Sequence, residues 1–305
     1  MKFCKLLTFA LATLVAASCV EPLEDSHVTM TDVRLEGYGD EVGTKSAPLS
    51  SMPSTFHCWA YVGDNTPTYM CREGMTYNNS TGKWVSALKH GNIPSGTNIR
   101  YYGLAPYNST YMTVPAYNTT WANSTLVYQC PAASTSQEDI IVANSGLCNG
   151  SATAASMTFS HILCQVRIHT CFDNVPAGSV TTVNLTNVAY NGTYKFSTDS
   201  WTSVSGTRTM TFTASQSLTT ASENVQIGTD NQTMMLVPQT LPSSSQLQVR
   251  VGSTTYSTSM SGVVLTKGRR VTLRIIFNST TSISTGNDTD CAPEYDMNVE
   301  VQYED

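Results

Sequence analysis

From about residue 55 onward the chain is written in short runs in which apolar and polar residues alternate, separated by Gly, Pro, Asn and Ser. Alternation with a period of two predicts strands with one buried face, and the breakers predict turns. Strands are predicted at 56–62, 68–71, 83–85, 98–103, 125–129 and 139–142. The strongest run is 157–170, with Ile162, Cys164, Val166 and Ile168 on one face and Phe159, His161, Leu163, Gln165, Arg167 and His169 on the other. Further strands are predicted at 180–188, 192–196, 207–213, 233–237, 246–251, 254–260, 270–277 and 297–303. An isolated patch, HVTMTDVRLEG, precedes them all, and Val28, Met30, Val33 and Leu35 could line a strand there. No window keeps a 3.6-residue apolar period for three turns. The predicted class is therefore all-β, a sandwich or barrel. This many strands suits two stacked domains, divided in the turn-rich DNVPAGS at 173–179. The expected organisation is a leader at 1–18, a tether with an N-terminal strand at 19–53, a first domain at 54–174 and a second at 175–305.

Composition sharpens this picture. Of 305 residues only 12% are charged, against 40% hydrophobic and 9% aromatic, and the formal net charge is −6. The solvent-facing positions are filled by Ser, Thr, Asn and Gly, a surface that favours strands and turns over helices. So few cations leave no electrostatic footprint for a phosphate backbone, which excludes nucleic acid as an expected partner.

The first nineteen residues read as an address. Lys2 and Lys5 precede an apolar stretch at 6–15 and the small residues Ala16, Ala17 and Ser18, the build of a secretory signal peptide too short to span a bilayer comfortably. Small residues directly before Cys19 resemble a bacterial lipobox, in which Cys19 is acylated and becomes the mature N-terminus. Ala16 stands where that motif usually has Leu, and ordinary cleavage nearby is the alternative reading. Acyl chains on Cys19 would anchor the protein to a membrane without a spanning helix. Glu21, Glu24 and Asp25 follow closely and resemble an outer-leaflet export signal of Bacteroidetes lipoproteins; a solvated tether would look the same.

Without Cys4 and Cys19, seven cysteines remain, an odd number that cannot all pair within one chain. Cys58 and Cys71 are the candidate disulfide, since a two-residue turn at Asp64-Asn65 would set them opposite each other, although Pro67 interrupts so regular a hairpin. Zinc spacing is absent. Cys164, His169 and Cys171 lie near one another in sequence, but Cys164 points away from the other two on a strand because the separations are odd. No cofactor or metal is expected. The five histidines, His27, His57, His90, His161 and His169, come with no G-x-S-x-G, H-E-x-x-H or P-loop pattern. His161 reads as a hydrogen-bonding residue of a strand, and no enzymatic activity is expected.

Several segments, taken in order, resemble the fimbrillin superfamily of Bacteroidetes, the subunits of donor-strand pili with their tip and anchor proteins. They are TFHCWAYVG at 55–63, TGKWVSALKHGNIPSGTNIRYYGLAPY at 81–107, DIIVA at 139–143 and MTFSHILCQVRIHT at 157–170. GTYKFSTDSW, MMLVPQTL and LTKGRRVTLRIIF continue the pattern to Phe277. The resemblance implies two tandem transthyretin-like β-sandwich domains in a cell-surface structural subunit. It also implies assembly by strand addition with other fimbrial subunits. A protease cuts off an N-terminal strand, and the groove left behind accepts an extended segment of a neighbour. Here the removable strand would be 28–35, with cleavage at Lys45 beyond it or at Arg34 within it, Lys45 being slightly preferred because that cut removes the whole strand. The donor would be the C-terminal run in which Met297, Val299, Val301 and Tyr303 alternate with polar residues; its other reading is a closing strand of the chain's own second domain. The resemblance places the protein at the outer membrane, lipid-anchored and surface-exposed, and in the fimbrium. It also allows host or bacterial surface ligands, and adhesion as the role. A monomeric surface lipoprotein that binds glycan on Trp84, Tyr101, Tyr102, Trp121 and Trp201 is the alternative from a different class.

Overall fold

The computed structural model describes residues 26–35, 52–63, 65–67, 69–91, 96–149, 155–171, 176, 178–218, 225–228, 233–280 and 294–304. The leader, Cys19 and Lys45 lie outside the described residues. In chain order the strands are β1 (Ser26–Leu35), β2 (Thr55–Val62), β3 (Met70–Asn78), β4 (Lys83–His90), β5 (Asn98–Ala105), β6 (Met112–Thr113) and β7 (Thr125–Gln129). They continue with β8 (Ile141–Asn149), β9 (Ala155–His161), β10 (Cys164–Cys171), β11 (Ser179–Val188), β12 (Asn191–Lys195), β13 (Ser200–Ser205), β14 (Arg208–Ser217) and β15 (Val225–Gln226). The last are β16 (Met234–Leu236), β17 (Gln239–Thr240), β18 (Gln246–Val251), β19 (Thr254–Ser259), β20 (Val264–Leu265), β21 (Arg270–Thr280) and β22 (Glu294–Glu304). Among the described residues helix is confined to single 3₁₀ turns at Trp121–Asn123, Ser134–Ser136 and Phe196–Thr198. Among the described residues no helix is long and apolar enough to cross a membrane.

The chain is all-β, in two packed sandwich units, and the alternation seen in the sequence is the reason. Most strands turn their apolar set to one of two cores. The first core, with Phe56, Cys58, Ala60, Met75, Trp84, Ile99, Met157 and Phe159, fills a sheet that closes on itself in the order β1-β4-β3-β2-β5-β8-β9. The second core lies among three sheets, β15-β10-β21-β22, β14-β11-β18-β19 and β13-β12-β7-β6. Strands β2 and β5 serve both cores. Their alternate residues Trp59, Tyr61, Tyr102 and Leu104 face the second core, so these strands read as nearly continuous apolar runs.

The 157–170 run is two strands, not one. It breaks at Ile162-Leu163, where the Ile162 amide donates to the Ile140 carbonyl (3.0 Å) and the Gly268 amide to the Leu163 carbonyl (2.9 Å). Strand β9 before the break belongs to the first unit; β10 after it runs parallel to β21 in the second, with Val166 opposite Val271 and Ile168 opposite Leu273. Strand β7 likewise pairs with β12, Tyr128 opposite Gly192. Strand pairing therefore does not follow the expected line at 174/175, because β7 and β10 pair with strands of the second half, and β6 joins that sheet through β7.

Candidate strand-exchange groove

The isolated N-terminal patch forms β1, and β1 closes the first unit. Its lower half runs antiparallel to β4, with Thr29 opposite Val85 and Met30 opposite Trp84. Its upper half runs parallel to β9, with Met30 opposite Ala155, Val33 opposite Met157 and Leu35 opposite Phe159. Met30 is where the strand changes partners, and its side chain is fully buried in the core. Val28, Val33 and Leu35 pack against the same core from partly buried positions. The Val28 amide donates to Ser86 Oγ (2.9 Å), which in turn donates to the Leu88 carbonyl (2.7 Å).

Beneath β1 lies an aromatic floor. Phe56 packs against Trp84 (ring centroids 4.9 Å apart) and edge-on against Phe159 (5.0 Å). Gly103 makes room for the last of these, since a Cβ there would stand 2.5 Å from Phe159 Cζ. Above Met30, β1 has no ladder partner on the β4 side among the described residues, and a cleft of about 560 Å³ opens there between Val33, Met52, Pro53, Thr76, Tyr77 and Trp84. The arrangement is a hydrophobic slot covered by one strand that is hydrogen-bonded along one flank at a time. Taking β1 away would expose the backbone edges of β4 and β9 together with that slot.

Of the other residues singled out by sequence, Arg34 sits on β1 as an exposed residue opposite Thr158. The C-terminal run is β22, paired along its length with β21 of the same chain, Val299 opposite Ile275 and Val301 opposite Leu273. Met297 is buried, Val299 and Val301 pack against the second core, and Tyr303 is 57% exposed. In this conformation the segment is a closing strand of its own sheet.

Cys58 and Cys71 are free thiols. Strand β2 ends at Val62 and β3 begins at Met70, so the connection is longer than two residues, and Cys58 falls opposite Glu73. Cys58 belongs to the first core, whereas Cys71 packs against the second. Burial pushes both thiols up from their ordinary value, the opposite of what a reactive cysteine needs.

The aromatics expected of a glycan-binding face are mostly interior: Trp84 and Trp121 are 6% exposed, Tyr101 8% and Tyr102 1%. Trp201 is partly buried and donates its indole N–H to the Ile162 carbonyl (2.7 Å). In these sheets such side chains build cores, because a large ring stabilises most when its whole surface leaves water. His161 is buried against Asp139, Nδ1 to Oδ2 2.8 Å. His57 stacks on Tyr107 and lies near Arg72; burial first and that guanidinium second lower its pKa to about 4.

Sequence reasoning missed the feature that defines the site, the double partnership of β1. Its only trace is the stagger of the apolar positions, Val28 and Met30 in one phase and Val33 and Leu35 in the other, which marks the irregularity between Met30 and Asp32.

A family model described as fimbrillin-like matches residues 55–289 of the chain. No curated protein matches the sequence. A candidate cell adhesion protein of Bacteroides ovatus has a similar crystal structure, with a TM-score of 0.60, 13% identity, and coverage of 93% of this chain and 98% of that one. A second, from Bacteroides uniformis, aligns with a TM-score of 0.54 and 12% identity, over 90% of this chain and 97% of the other.

Proposed function

Because the chain belongs to the fimbrillin-like family, we propose that it is a structural subunit of cell-surface fimbriae, exported as a lipoprotein through Cys19 and assembled by protease-triggered strand exchange. The observation that carries the reading is the position of β1, which covers the first core while switching hydrogen-bond partners at Met30. Cutting at Lys45 frees β1 from β2, and its loss leaves an open slot with an edge on either side. An extended segment of another subunit restores both the hydrogen bonds and the buried contacts. Arg34 is the less favourable cut, since it lies within the paired strand, where a protease cannot seize the backbone until β1 has opened. If β22 is the donor, it must first leave β21. The description of the Bacteroides ovatus and Bacteroides uniformis proteins as candidates for cell adhesion supports an adhesive role for the assembled fibre.

The test treats the purified chain with a trypsin-like protease and follows products by mass spectrometry and by electrophoresis without heating. The expected result is one early cut at Lys45, release of β1, and a ladder of oligomers that boiling collapses to one band. A chain that loses β1 yet stays monomeric at every concentration overturns the proposal.

A further inference from the structure

Strand β4 is irregular where it meets the first half of β1. His27 lies opposite Lys89 and Thr29 opposite Val85, so three residues of β4, Ser86, Ala87 and Leu88, stand against the single residue Val28. A bulge of this kind takes backbone groups out of the ladder, and buried ones need other partners. On the far side of β4 the register with β3 runs from Lys83 opposite Asn78 to Ser86 opposite Met75. Beyond it the Glu73 carboxylate takes over. This residue is 8% exposed; its Oε1 accepts the Leu88 amide (2.6 Å) and its Oε2 meets His90 Nε2 (2.7 Å). Tyr69 packs its ring near His90 (centroids 4.9 Å apart) and donates its hydroxyl to the Gly91 carbonyl (3.0 Å).

The bulge gives Ser86 a particular polarity toward β1. A hydroxyl has one proton, and Ser86 donates it to the Leu88 carbonyl (2.7 Å), so it faces β1 as an acceptor and takes the Val28 amide (2.9 Å). Ser86 is buried, and the Leu88 side chain is turned outward. Two residues further along β1, Met30 is enclosed between Trp84 and Ala155 with no exposed surface. This spacing matters because alternation alone does not locate a strand in a slot: a slip of two residues keeps every apolar side chain inward. A fixed acceptor for one N–H, followed by one closed side-chain site, does locate it.

We infer that Ser86, set in place by Glu73 and His90, is the polar seat of the strand-exchange slot, receiving the backbone N–H of whichever extended segment occupies it. The inference rests on the strand-exchange reading above and specifies the partner that reading requires. The occupant is a segment of another subunit with a residue other than proline at the seat, since proline has no N–H, and a large apolar residue two positions on to fill the Met30 site. Glu73 and His90 are positioning residues: they touch β4 and hold the bulge that presents Ser86. The charged carboxylate strengthens both of its hydrogen bonds, so the seat is preformed on β4.

The test offers the protease-treated chain a fluorescent synthetic peptide of residues 26–36 and reads its capture by anisotropy. A second peptide carries the hydroxy-acid analogue of valine at position 28, so that an ester oxygen replaces the N–H and the side chain is unchanged. The ester peptide should bind about tenfold more weakly to the wild-type chain, and the two should bind alike to Ser86→Ala, in which the acceptor is gone. Glu73→Gln, which still accepts the Leu88 amide, should keep the difference, and Glu73→Ala should narrow it. The peptides leave the protein untouched, so the wild-type comparison decides even where a Ser86 or Glu73 variant fails to fold. Equal binding of the two peptides to the wild-type chain, or an undiminished difference in Ser86→Ala, overturns the inference while strand exchange stands. Capture of neither peptide overturns both.

Discussion

Met30 stands opposite Trp84 on one side and Ala155 on the other, the single residue of β1 registered to both neighbouring strands. Because its side chain is fully buried, the closure of the first unit is concentrated at this position. Met30→Ala should cost about 2 to 5 kcal/mol of stability, the range for deleting a buried methionine side chain. Denaturant unfolding measures it, and the same variant should release β1 faster under limited proteolysis. A loss below about 0.5 kcal/mol would show that β1 is not held by this contact.

Gly103 and Phe159 are matched in the same core. A methyl group at 103 would sit 2.5 Å from Phe159 Cζ and 3.1 Å from Met157 Cε. Gly103→Ala should therefore destabilise by about 1 to 3 kcal/mol through overpacking, and adding Phe159→Leu should recover part of the loss. A thermal melt of the two variants decides it; equal melting with wild type contradicts the packing.

Val299 and Val301 of β22 pack on the second core while β22 pairs with β21. Val301→Asp should lower the stability of the monomer itself by about 1 to 3 kcal/mol, since it brings a charge to a half-buried apolar site. Polymer loss with an unchanged monomer melt would instead identify β22 as a donor that contributes little to its own subunit.

Acid should weaken the fold in part through His57. Its pKa lies near 4 in the native state against an ordinary 6.5, so between those values the unfolded chain binds the proton more readily. Stability present above pH 6.5 is lost progressively down to about 4, and water reaching this partly buried ring screens part of the effect. His57→Gln should flatten the urea-unfolding midpoint across that window. A midpoint curve that parallels wild type removes His57 as a cause.

The chain's own pattern determined the all-β class, the positions of most strands and the face each turns inward, because alternation with a period of two fixes which side chains share a face. It marked Val28, Met30, Val33 and Leu35 as a strand, and its ordered segments resembled the family that the comparison shows. Partners were decided only by the tertiary structure. Backbone hydrogen bonds are the same for every residue, so nothing in HVTMTDVRLEG says that its first half meets β4 and its second half β9. The same silence let Cys58 and Cys71 look opposed when the longer connection sets Glu73 there, and let 157–170 look continuous when the chain crosses between units at Ile162-Leu163.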